Sequence, residues 1–76
     1  MRTLDQLDPG TTAVIEAVAG PPALQQRLME FGVLEGETVE VLAKAPLGDP
    51  IEIQIGGTRL SLRKAEAASI RLHPPA

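Results

Sequence analysis

Residues 44–63, KAPLGDPIEIQIGGTRLSLR, constrain the fold more than any other stretch of this chain. Ile51, Ile53 and Ile55 alternate with Glu52 and Gln54, Gly56-Gly57 follows, and the return run sets Leu60 and Leu62 against Arg59, Ser61 and Arg63. Period-2 alternation across a Gly-Gly turn predicts an antiparallel hairpin with one buried face. The turn-rich run Ala45-Pro46-Leu47-Gly48-Asp49-Pro50 leads into it. A chain of 76 residues has room for one small core, so we read residues 1–76 as a single domain.

The remaining segments are short. Thr3-Leu4-Asp5-Gln6 has the Thr-x-x-Gln spacing of a capping box, which predicts one helical turn over Leu4–Leu7 with both leucines inward. Asp8-Pro9-Gly10 ends it. Thr12–Val18 is rich in β-branched residues and reads as a strand, although Val14 and Ile15 break the alternation. Either a bulge or burial on both faces accounts for that break. After Gly20-Pro21-Pro22, residues 23–31 carry Leu24, Leu28 and Phe31 at i, i+4 and i+7, one face of a helix. Gly32 stands where a left-handed C′ residue belongs, with Val33 placed for the accompanying apolar contact. Thr38–Ala43 reads as a strand with Val39, Val41 and Ala43 on one side. Lys64–Ala68 reads as a single helical turn, Ser69–Leu72 as a last strand, and residues 73–76 as a fraying end. The expected fold class is all-β: a small SH3-like barrel of five strands, with one short α-helix between the first and second. Closing into a barrel removes exposed edges.

Composition narrows the function. The net charge is -3, and Phe31 is the only aromatic residue. Nucleic-acid binders need clustered cations and rings on which bases stack, so nucleic acid is an unfit partner. Proline-rich peptide grooves need aromatic walls, which this chain cannot build. With no Cys and a single His, thiolate metal sites are impossible and an iron(II) site is poorly supplied. The densest acids, Glu35, Glu37 and Glu40, read as a solvated turn and strand face. Ser61 and Ser69 have no base but His73, in a loose tail, which is too little for a serine nucleophile. Gly56-Gly57 lacks the spacing and following helix of a phosphate loop. The expectation is no enzyme, no cofactor and no bound metal. The N-terminus lacks an apolar signal region, and no apolar run could span a bilayer, so a cytoplasmic protein without direct membrane insertion is expected.

Several phrases in order resemble one family. They are Leu4, Leu7 and Gly10, then Arg27-Leu28-Met29-Glu30-Phe31-Gly32-Val33, Glu35-Gly36, Ala45-Pro46-Leu47-Gly48-Asp49-Pro50, Leu60-Ser61-Leu62-Arg63, and Glu66-Ala67 with Ile70. Together, from Leu4 to Leu72, the chain resembles FeoA, the small cytosolic protein of bacterial ferrous iron uptake. Two positions depart from the family pattern: Gln26, where a second basic residue is common, and Glu35, where proline is common. The resemblance implies an SH3-like fold, no enzymatic activity, and binding to the cytosolic GTPase region of the FeoB membrane transporter. Arg27, Met29 and Glu30 on the helix and Pro46 and Leu47 in the loop are then the partner-binding candidates. Arg27 could equally pair within the chain, Glu30 at i+3 being the nearest acid. Leu47 at an apolar loop tip is either tucked over the barrel end or offered to a partner. Two other readings stand beside this one: a self-assembling structural component, since the core is small, and a metal-responsive domain related to the SH3-like part of iron-dependent repressors.

Overall fold

The computed structural model describes residues 2–74. Its order is β1 (Arg2–Thr3), a 3-10 turn (Leu4–Gln6), β2 (Thr12–Val18), α1 (Pro22–Glu30), β3 (Thr38–Lys44), β4 (Ile51–Ile55), β5 (Thr58–Leu62), α2 (Lys64–Ala67) and β6 (Ile70–Leu72). Six strands therefore replace the five expected. The added one, β1, is two residues long and pairs with β6, too short to show any alternation in sequence. All pairings are antiparallel, in the order β1-β6-β2-β3-β4-β5. The expected closed five-stranded barrel is thus an antiparallel sheet with β1 and β5 as its edges. The sheet is strongly curled: the molecule measures 29 × 27 × 26 Å, whereas a flat sheet is thin in one direction.

One cluster of buried side chains fills the inside, drawn from almost every element. Leu4 and Leu7 point into it, and the Gln6 side chain accepts the Thr3 N–H at 3.1 Å, as the capping pattern predicts. Ile51, Ile53, Ile55 and Leu62 are buried and Leu60 half-buried, as the alternation requires. Gly56-Gly57 lies between the paired residues Ile55 and Thr58. Gly56 alone of the two has a left-handed φ, at 56°, the pattern of a type II′ hairpin turn.

Two irregularities shape the sheet. β2 keeps its alternation through Ile15, with Ala13 and Ile15 buried and Val14 an exposed apolar residue, and a bulge follows, where the register shifts between Ile15 and Ala17. Just before that shift, between Val14 and Ile15, β2 passes from pairing with β3 to pairing with β6, so it is the strand on which the sheet turns its corner. A second shift, between Val41 and Ala43, turns Ala43 outward. The expected inward row Val39, Val41 and Ala43 therefore holds only for the two valines.

The helix corrects a second expectation. Leu28 is fully buried and Leu24 packs partly against the core, but Phe31 is 49% exposed. Phe31 is the C-cap residue, outside the helix proper. Gly32 at φ 89° reverses the chain, with its N–H on Met29 C=O at 2.9 Å and the Val33 N–H on Leu28 C=O at 3.0 Å. These are the two bonds of a Schellman ending. They carry Val33 into the core in place of Phe31.

Candidate partner-binding surface

The five sequence-predicted residues do not form one patch. Arg27 and Met29 are two positions apart on α1, about 200° around a helix of 3.6 residues per turn. Arg27 opens onto a cleft between α1 and β5, lined also by Leu28, Phe31, Leu60 and Ser61. Met29 opens onto a different cleft, with Val18, Val33 and Leu34. Glu30 is exposed and, among the described residues, makes no salt bridge. Pro46 is exposed, and Leu47 is 90% exposed at the tip of its loop and so is not tucked over the barrel end. Short backbone bonds hold that loop: Gly48 N–H to Ala45 C=O at 2.7 Å, and Ala45 N–H to Pro50 C=O at 3.0 Å.

The helix and the loop are connected through α2, a link that sequence spacing does not reveal. Arg27 pairs with Glu66 of α2, not with Glu30 as the i+3 spacing suggests. The same Glu66 accepts the Arg63 N–H at 2.9 Å and so caps α2. From the other side, the Asp49 carboxylate accepts the Lys64 N–H at 3.1 Å, tying the Leu47 loop to the start of α2. Glu66 thus ends up 20% exposed between two elements, while the Arg27 side chain remains 54% exposed and able to meet further groups.

The α1–β5 cleft has its own character. It is about 520 Å³ in volume. Arg27, Arg59 and Arg63 line it against the single acid Glu66, in a chain whose net charge is -3. Arg59 leans on Glu52 at 3.5 Å, a weak exposed pair. Phe31, displaced from the core by the Schellman turn, supplies an aromatic wall. Sequence reasoning placed Phe31 inside and read Arg59 and Arg63 only as an outer strand face. The signal that could have found the cleft is the alternation itself, which puts both arginines on one side of an edge strand. No three His, Cys, Asp or Glu side chains come together to hold a metal ion among the described residues. No described helix is long and apolar enough to cross a membrane.

Residues 2–74 match the family model of the FeoA domain. A FeoA protein from Chlorobium tepidum is 41% identical and superposes with a TM-score of 0.90, over 99% of this chain and 71% of that one. The Stenotrophomonas maltophilia FeoA, solved with zinc and described as a procaryotic SH3 domain protein, is 38% identical with a TM-score of 0.86, over 96% of this chain and 91% of that one. A third relative is a Porphyromonas gingivalis protein described as a fusion of Fe(2+) transport protein A and the Fe(2+) transporter FeoB. It is 38% identical over 69 residues, which are 91% of this chain and 8% of the fusion.

Proposed function

The chain belongs to the FeoA family, and on that premise we propose that it is an accessory component of ferrous iron uptake, acting by binding the cytosolic region of a FeoB-type transporter. The observation that carries this reading is the Porphyromonas fusion, in which a related domain and the transporter share one chain. Joining two modules covalently makes their association intramolecular, at an effective concentration far above that of free partners. Such a fusion makes sense for two parts that work together.

The surface suits binding better than chemistry. It offers an exposed apolar loop tip at Leu47, beside Pro46, and a cationic cleft with an aromatic wall at Arg27 and Phe31. Interfaces favour arginine and aromatic side chains over the charged average of a surface. Met29 opens onto a different cleft, so a partner engaging all five candidates must wrap the helix. On this reading the protein acts in the cytoplasm, and any effect on GTP hydrolysis is exerted through the transporter.

Calorimetric titration of this chain into the transporter's purified cytosolic region, with and without a GTP analogue, tests the reading. Saturable binding in at least one nucleotide state is expected. No heat and no co-elution in either state would overturn it.

A further inference from the structure

We infer that the free edge of β5 is a strand-addition site for an extended segment of a partner protein in which acidic and apolar residues alternate. The inference rests on the binding role above only for the partner's identity; the edge itself is a property of this fold.

A two-residue turn makes Ile55 and Thr58 a hydrogen-bonded pair, and pairing then alternates along the hairpin. Thr58, Leu60 and Leu62 therefore bond to β4, while Arg59, Ser61 and Arg63 turn their N–H and C=O groups away from it. Arg63 is already satisfied: its N–H goes to Glu66, and its C=O accepts the N–H groups of Glu66 and Ala67 at 3.0 Å each. Among the described residues no other backbone group bonds to Arg59 or Ser61. Two successive outward ladder positions stand open, about 7 Å apart. The opposite edge, β1, has only two residues.

An open edge is a template for another chain, and the side chains select which. A second copy is disfavoured. Antiparallel β5–β5 pairing centred on Ser61 sets Arg59 against Arg63 twice, and like charges directly opposite repel. A partner strand with acidic residues on its outer face meets Arg59 and Arg63 with opposite charge. Its alternate side chains fall on the inner face, beside half-buried Leu60 and exposed Phe31.

The test uses a capped nonapeptide alternating valine and glutamate. Controls are the lysine-for-glutamate peptide, a copy N-methylated at alternate residues, and an oligothymidylate as a plain polyanion. Amide hydrogen exchange on the full chain should slow about tenfold at Arg59 and Ser61 with the glutamate peptide, the effect of closing a backbone hydrogen bond, and with none of the controls. No slowing, or equal slowing by any control, overturns the proposal. Ser61→Pro removes the edge donor at a position where an edge strand tolerates proline, and should weaken the peptide about tenfold or more. If that variant does not fold, the N-methylated peptide decides alone. Titrating wild type and Ser61→Pro with the transporter's cytosolic region separates the two readings. Undiminished binding by Ser61→Pro refutes strand addition and leaves the transporter role standing. No binding by wild type refutes that role, and the peptide still decides the edge.

Discussion

One chemical change made at two leucines separates core from candidate interface. Leu28 is fully buried and Leu47 is 90% exposed. Truncating a buried leucine to alanine costs about 2–5 kcal/mol, the transfer of the lost methyl groups plus the cavity they leave. A 76-residue domain at about 0.05–0.15 kcal/mol per residue holds about 4–11 kcal/mol in all. Leu28→Ala therefore removes a large share of the total and should lower the melting temperature by roughly 10–30 °C. Leu47→Ala gives up only the tenth of its surface that is covered, about 0.1–0.3 kcal/mol, and should melt within about 2 °C of wild type. Binding should reverse the order of importance. If a partner buries Leu47, its truncation costs about 1–2 kcal/mol of affinity, or about 5–30-fold in Kd. Differential scanning calorimetry and titration against the transporter's cytosolic region read both quantities. A melting temperature more than about 5 °C lower for Leu47→Ala would mean that the loop packs against the sheet in solution. An unchanged Kd would remove Leu47 from the interface.

Other expectations are narrower. The hairpin turn should discriminate between its glycines. Gly56→Ala should cost about 1–2 kcal/mol, because its φ of 56° is left-handed, while Gly57→Ala should be neutral or stabilising by up to about 1 kcal/mol, since a Cβ there meets nothing within 4 Å; urea melts of the two variants check this. A double-mutant cycle on Arg27 and Glu66 should give a coupling of about 0.2–1 kcal/mol that fades in 1 M salt, because the Arg27 side chain is 54% exposed. A salt-independent coupling above about 2 kcal/mol would show that the pair is desolvated. Glu66→Ala should destabilise more than Arg27→Ala, by about 1 kcal/mol, since it also removes the cap on the Arg63 N–H.

Much of the fold is legible because alternation and turn chemistry are local. The hairpin over 51–62 follows from side chains that take opposite faces by period, and the glycine between them needs no tertiary help. Leu4, Leu7, Leu28 and Val33 are inward for the same kind of reason. The misplaced residues have one cause in common. Phe31 and Ala43 each sit where the backbone leaves its ideal period, at a helix end or a bulge. One residue of slip moves a side chain to the opposite face, and nothing in the sequence of a single strand announces the slip. The candidate site was less legible than the fold, because the ion pair of Arg27 joins residues 39 positions apart and the openness of Arg59 and Ser61 depends on which strand has no neighbour.

The sequence by itself determined the mainly antiparallel β class, the hairpin, the single convincing helix with its glycine ending, and the core residues that follow from unbroken periods. These are consequences of φ/ψ preference and of burying one face. Only the tertiary structure decided that β5 is an edge, that Phe31 faces a cleft while Val33 takes its place inside, and that α2 joins the helix to the Leu47 loop. Each depends on strand order, a bulge or a contact across the fold, and such contacts arise from the joint packing of all elements around one core.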